Sequence, residues 1–158
     1  RSMFEASPWN AEQLIERIVN LVRAARQAKA PIVFVSDRRV APDGRLHPDL
    51  DARAADLYIE KDFCDAFLGT SLDAELRGAG VESLLVAGLQ TDFCIDTTCR
   101  RAASLGYKVV LVADAHSTFD HEYLQAHQIV AHHNHILRRF TAGKGSVAVV
   151  ASRAAVFV

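Results

Sequence analysis

The sequence predicts a three-layer α/β domain, a mostly parallel sheet with helices on both faces, spanning residues 1–158 as one unit. Two patterns carry that expectation. Short runs that are apolar on both faces, such as Ile32-Val33-Phe34-Val35 and Leu84-Leu85-Val86-Ala87, read as strands buried on both sides. They alternate with segments whose apolar residues recur at helical spacing, which is how a parallel sheet sandwiched by helices reads in sequence. A chain of 158 residues, 50% hydrophobic and 23% charged, is long enough to bury such a core.

Each element has its own signal. Trp9 to Ala28 is an amphipathic helix, with Leu14, Ile18, Leu21 and Ala25 on one side and Glu12, Glu16, Arg23 and Arg26 on the other. Ser7-Pro8 marks its start, and Pro31 ends the run before the strand Ile32–Val35. Arg38 to Asp51, with Pro42, Asp43-Gly44 and Pro48, is a loop long enough to line a site. Leu57 to Ile59 is a short strand ending near Lys61, and a helix carrying Leu72 and Leu76 follows, closed by Gly78 and Gly80. Ser83 to Gly88 is the next buried strand. A helix capped by Thr91 or Asp92 then runs through Leu105, with Gly106 as its stop. Lys108 to Ala113 is a third buried strand, Glu122 to Leu137 a helix, and Ser146 to Val150 the last strand.

The totals exclude several classes. The 18 basic and 19 acidic side chains leave a net charge of −1, so nothing marks a nucleic-acid or anionic-membrane partner. No apolar run approaches the roughly 20 residues that cross a bilayer, and no signal-peptide pattern is present, so the expected location is cytoplasmic. Three cysteines, Cys64, Cys94 and Cys99, are too few and odd in number for a disulfide scaffold.

In this architecture ligands gather at the carboxyl ends of the strands, where Asp37, Lys61, Gln90 to Cys94 and Asp114 to Ser117 fall. Cys94 is expected in the first turn of a helix that follows a buried strand and a tight turn at Gly88. Backbone N–H groups and the positive helix end would lower its thiol pKa there, and the same groups could hold an oxyanion. Cys99, further down the helix, reads as packing. Lys61 is the natural partner of Cys94: its stem is bracketed by Phe63 and Phe67, and an ammonium near a thiolate stabilises the anion. Gln90, Thr91, His116, Phe63 and Phe119 are candidates to line a pocket for a small, partly polar planar molecule.

The run Gly88-Leu89-Gln90-Thr91-Asp92-Phe93-Cys94-Ile95-Asp96-Thr97-Thr98 resembles the nucleophile motif of the isochorismatase-like cysteine hydrolases, which include nicotinamidases and N-carbamoylsarcosine amidohydrolases. Lys61 with Ala66-Phe67, Thr70 and Leu72 resembles that family's lysine motif, and Asp114-Ala115-His116-Ser117-Thr118 matches a further segment. The resemblance implies an isochorismatase-like, Rossmann-like fold and a Cys–Lys–Asp triad acting on amide or related carbon–nitrogen bonds. It makes Cys94 the nucleophile and Lys61 the triad lysine. It puts a cis peptide at Leu89–Gln90 and aims the N–H groups of Gln90 and Cys94 at the oxyanion. It also implies a small-molecule substrate, no cofactor and a homo-oligomer.

The resemblance leaves one part unmatched. The family's aspartate ends a strand ahead of the first helix, in the middle of the sheet, whereas this chain opens at Arg1-Ser2-Met3-Phe4. The expectation is a further N-terminal segment of about 10–25 residues, enough for a strand and a connection, with an unfilled slot in its absence. Asp37 is the only nearby replacement. Nicotinamidases bind a divalent ion through an Asp and several His in the loop after the second strand. Here that loop offers Asp37, Asp43, His47 and Asp49, so no metal is expected. His127, His132, His133 and His135 read as solvated or capping residues. The leading reading is a cysteine hydrolase of a small amide. The alternatives are isochorismatase-type vinyl-ether hydrolysis, which need not use the cysteine, and a non-catalytic binding or structural member with an incomplete triad.

Overall fold

A computed structural model describes residues 7–40 and 46–157 of the chain. The elements follow the order α1 (Ala11–Gln27), β1 (Val33–Asp37), β2 (Leu57–Lys61), α2 (Leu72–Gly78), β3 (Ser83–Leu89), α3 (Asp96–Ser104), β4 (Lys108–Ser117), α4 (Ala126–Leu137), β5 (Thr141–Ala142) and β6 (Gly145–Val150). Arg1 to Phe4, and with them any strand ahead of α1, lie outside the described residues, as does Asp43.

Three helices stop in the same way. The Ala30 N–H reaches back to the Ala25 carbonyl (2.9 Å), Val81 to Leu76 (2.9 Å) and Tyr107 to Ala102 (3.1 Å). This six-to-one closure needs a left-handed residue just before it. Gly106, with φ 98°, supplies one at the end of α3 and turns the chain directly into β4.

Strand alternation sorts the core into two layers. Leu84, Val86, Val109 and Leu111 face α2, α3 and the end of α4, around fully buried Cys99, Ala102, Ala103 and Leu137. Leu85, Ala87, Val112 and Ala115 face Leu21 and Ile18 of α1, together with Ala155 and Phe157. Two covered faces explain why these strands read as continuous apolar runs. Gly145 opens β6 directly against the backbone of Ala103, where a Cβ would overlap the carbonyl. Gly145→Ala is therefore expected to lower unfolding free energy by about 1–3 kcal/mol, as overpacking does, read from the urea midpoint.

The sheet comes in two pieces. β1 pairs with β2 in parallel, and the second piece has the order β3-β4-β6-β5, parallel except for β5. A cavity of about 340 Å³ separates them, lined by every residue of β1 from Val33 to Asp37 and by Leu85 to Leu89 of β3. Consecutive residues of a strand point to opposite faces, so the lining consists of two strand edges. Neither edge has a ladder partner among the described residues.

Several boundaries differ from the sequence reading. α1 starts at Ala11 because Asn10 is left-handed (φ 54°) and the Trp9 N–H is taken by the Thr118 carbonyl (3.0 Å). α4 starts at Ala126, not Glu122. Residues 121–125 are all exposed, the His121 N–H donates forward to the Leu124 carbonyl (2.8 Å), and the Asp120 carboxylate accepts the Ala126 N–H (2.8 Å). β4 continues past Ala113 to Ser117 after a break in its register with β3 between Val86 and Gly88. The short strand β5, turned back through Gly143-Lys144, is an addition to the sequence reading.

Candidate active site

The register of β1 on β2 sets the first part of the site. Asp37 stands directly opposite Lys61 at the carboxyl ends of two parallel strands. Both residues are buried. β3 supplies the rest. Gly88 (φ 128°) leads into a cis Leu89–Gln90 peptide, and the Gln90 carbonyl then accepts from both Phe93 N–H (3.3 Å) and Ile95 N–H (3.0 Å). The wide second bond makes Thr91–Ile95 a π-helical turn ahead of α3. Cys94 rides on that turn and not in the first turn of an α-helix.

Thr91 and Asp92 do not cap it, because β4 and the residue after it take both side chains. Thr91 Oγ1 bonds His116 Nδ1 (2.8 Å), and Thr118 Oγ1 donates to Asp92 Oδ1 (2.6 Å). His121 Nε2 lies 2.9 Å from Asp92 Oδ2. His116 Nε2 continues to Asn134 Oδ1 (3.0 Å), and Asn134 Nδ2 donates to the Ala113 carbonyl (2.9 Å). Asn134 Oδ1 is thus the acceptor, so His116 donates from Nε2 and accepts the Thr91 hydroxyl at Nδ1. Burial pushes the His116 pKa down, in keeping with that neutral form.

Three side chains converge. Lys61 Nζ lies 2.8 Å from Asp37 Oδ2, 3.1 Å from Cys94 Sγ and 2.7 Å from the Phe63 carbonyl. The three donors of an ammonium thus meet three acceptors. Cys94 Sγ is also 3.9 Å from Asp37 Oδ2. Arg39 grips the same carboxylate from its other side, through its backbone N–H (3.0 Å), Nε (2.9 Å) and Nη2 (2.6 Å). The Arg39 guanidinium, with Lys61 adding to it, holds the Asp37 carboxyl well below the usual carboxylate range. Cys94 moves the other way from the sequence expectation: burial pushes its thiol up, and the hydrogen bond and charge of Lys61 only partly offset this. A half-buried sulfur gives up more hydration than the ammonium returns. Cys99 is pushed up to about 12 by its burial, as a packing residue should be.

The remaining candidates are spread out. Asp37, Lys61, Leu89 and Cys94 line the cavity between β1 and β3. Thr91 and His116 are buried behind the turn that bears Cys94 and hold it in place instead of lining that cavity. Phe63 is 52% exposed and contributes its carbonyl, not its ring, to Lys61. Phe119 is half-buried and does not line the cavity either. Gln90 enters through its carbonyl, which closes the π-turn. His47 accepts the Asp49 N–H (3.3 Å), and His133 Nδ1 contacts the Ile129 carbonyl (2.8 Å). Among the described residues no group of three or more His, Cys, Asp or Glu converges as metal ligands do. Sequence reasoning gave no site role to Cys64, Thr98 and Asn134, whose contacts are distant in sequence, nor to Arg39, which grips Asp37 only two residues away.

The isochorismatase domain family matches residues 2–139. This chain belongs to the isochorismatase family. Streptothricin hydrolase of Streptomyces noursei is 34% identical to this family member over 124 residues, covering 73% of the chain and 45% of that protein. Nicotinamidase 3 of Arabidopsis thaliana is 25% identical, covering 73% of the chain and 70% of that protein. The chain spans about half the length of the streptothricin hydrolase it matches. Among solved structures, an isochorismatase family protein superposes with a TM-score of 0.81 at 31% identity, covering 91% of this chain and 87% of that one. An isochorismatase of Pseudomonas putida gives 0.83 at 25% identity, covering 95% and 81%. The isochorismatase-like fold, with helices on a mostly parallel sheet, is therefore shared. Among the described residues no helix is long and apolar enough to cross a membrane.

Proposed function

We propose that the chain is a cysteine hydrolase of small amide-type substrates, with Cys94 as nucleophile, Lys61 as its charge partner and Asp37 as the proton carrier. The observation that carries this reading is Lys61 Nζ between Asp37 Oδ2 (2.8 Å) and Cys94 Sγ (3.1 Å), at the mouth of a cavity. The names of two relatives, a streptothricin hydrolase and a nicotinamidase, support the class.

Because burial keeps the thiol protonated, attack needs a base, and Asp37 Oδ2 is the acceptor within reach of Sγ at 3.9 Å. As the sulfur adds to the substrate carbonyl, its proton passes to Asp37 and the growing charge on sulfur meets the Lys61 ammonium. Following the resemblance, the N–H groups at Gln90 and Cys94 receive the oxyanion. Arg39 and Lys61 make Asp37 a weak base, but the same pairing makes its protonated form a strong acid toward the leaving nitrogen. Water, activated by the returned carboxylate, then releases the acyl group from Cys94. The test is rapid quenching during turnover of small amides and activated esters, followed by intact mass. An acyl adduct mapped to Cys94 is expected. Turnover without any covalent adduct, persisting in Cys94→Ala, would remove the thiolate mechanism.

One observation favours a second source for the acid. The cavity between β1 and β3 presents two strand edges and reaches Lys61, so an extended segment laid there could bring its own carboxylate. Asp37→Asn separates the two: a loss of about 10²-fold or more in kcat/KM marks Asp37 as the proton carrier, in the range a general acid–base contributes. A near-normal rate hands the role to the other carboxylate.

A further inference from the structure

The cluster holds a second thiol that the reaction does not use. Cys64 lies in the loop after β2 and joins the same cluster as Cys94, whose Sγ approaches Asp37 Oδ2 at 3.9 Å. Its backbone is fixed to the helix that follows Cys94: Thr98 Oγ1 donates to the Cys64 carbonyl (3.2 Å) and accepts the Ala66 N–H (3.2 Å). The Lys61 bond to the Phe63 carbonyl (2.7 Å) anchors the residue just before it. Arg39 Nη2, already on Asp37 Oδ2, reaches Cys64 Sγ at 3.7 Å. Each sulfur therefore has its own cation, and both cations share one carboxylate oxygen. Cys64 and Cys94 are both only half-buried, whereas Cys99 is fully enclosed.

We propose that Cys64 is a resolving thiol, and that this pair is a redox modification site in which hydroperoxide converts the two thiols reversibly into an intramolecular Cys64–Cys94 disulfide. Cys94 sulfur, its proton passing to Asp37 Oδ2, attacks the peroxide oxygen; the S–O bond forms, the O–O bond breaks, and the departing hydroxide takes that proton as water. The product is a Cys94 sulfenic acid. Cys64 sulfur, its charge supported by Arg39, then attacks Cys94 sulfur; the S–S bond forms, the S–O bond breaks, and a second water leaves with the Cys64 proton. Two thiols lose two electrons, and hydrogen peroxide is reduced to two waters. A dithiol reverses the step. Without Cys64, the sulfenic acid stays exposed to a second oxidant and advances to sulfinic acid, which dithiols do not reduce.

The proposal takes Cys94 as an oxidisable sulfur and does not require the hydrolase reading, so its test uses no substrate. Reduced full-length chain is treated with hydrogen peroxide, denatured, alkylated with N-ethylmaleimide and read by intact mass and peptide mapping. The expected product has one alkylated thiol, Cys99, and a linked Cys64–Cys94 peptide pair; dithiothreitol restores all three thiols. In Cys64→Ser and Cys64→Ala, Cys94 is expected to gain two oxygens, with dithiothreitol-recoverable Cys94 falling at least about tenfold. The two variants guard against misfolding of either one. Three results overturn the proposal: a Cys94 that resists peroxide, sulfinic acid forming equally fast with and without Cys64, or a Cys94–Cys99 link. Loss of acyl-enzyme with an intact disulfide, or the converse, distinguishes failure of one reading from failure of the other.

Discussion

Replacing Cys94 by alanine is expected to lower kcat/KM on a small amide by about 10⁴-fold or more, because the proposed nucleophile is gone. Among the described residues, neither of the other two cysteines is placed to substitute for it. Cys64 Sγ is bonded by Arg39 rather than by Lys61, and Cys99 is fully buried. The same variant divides the family's chemistries. A vinyl ether cleaved by protonation has no need of a sulfur nucleophile, so a Cys94→Ala protein that keeps vinyl-ether activity points to that reaction. Loss of amide hydrolysis alone points to the acyl-enzyme. Protein that retains its urea midpoint while losing activity excludes a folding artefact, and the half-buried thiol makes that retention the expected result.

Lys61→Met is expected to have the second largest effect and to show it in two readouts. Methionine keeps the length of the stem but strands the buried Asp37 carboxylate without one of its two cations. Breaking a buried pair from one side costs about 3–5 kcal/mol, and the remaining Arg39 contact puts this case at about 3 kcal/mol. Activity should fall by about 10²–10³-fold, since the sulfur loses its only ammonium contact in the cluster. The pH dependence has a defined sign. Asp37 has a folded-state pKa below its unfolded value, so its stabilisation is complete above about pH 4 and drains away as the pH falls toward the folded value. The stability gap between native chain and Lys61→Met should therefore be widest near neutrality and narrow in acid. Urea midpoints at pH 3, 5 and 7 check this, and a gap that stays constant across them discards the account. Lys61→Arg should not rescue it, because a planar fork cannot place three donors on three differently directed acceptors.

Much of the fold was legible because parallel strands covered on both faces write themselves as unbroken apolar runs. Leu84 to Ala87 and Val109 to Val112 needed no tertiary information. Cys94 and Lys61 stood out through residue type and position after strand ends. Asp37 was read only as a pocket candidate and as the one nearby replacement for the family's aspartate, with no partner assigned. As a loop carboxylate it looks solvated, and only the Asp37–Lys61 register, a property of strand pairing, brings it to the ammonium. The thiol's direction was misread for a related reason: the helix end was counted and the burial was not. The false start of α4 at Glu122 came from periodicity alone, although Asp120 six residues before Ala126 is a start signal of the kind sequence can show. Phe63 followed the rule that aromatics line pockets. Its neighbour Lys61 faces inward, however, and two residues later the chain has left the strand, so the ring turns to solvent.

β4 runs on beside β3 after its pairing with β6 ends at Val112, and the parity of this stretch and of the residue after it acts as a clamp. Even-numbered His116 and Thr118 grip the loop that bears the sulfur, while odd-numbered Ser117 grips the Trp9 carbonyl at the threshold of α1. A single residue inserted anywhere between Val112 and Ala115 would exchange those two sets of handholds at once. The reacting atoms would all still be present, yet the turn would be left without its moorings. Indel tolerance in this stretch is thus governed by odd and even positions, not by distance from the chemistry.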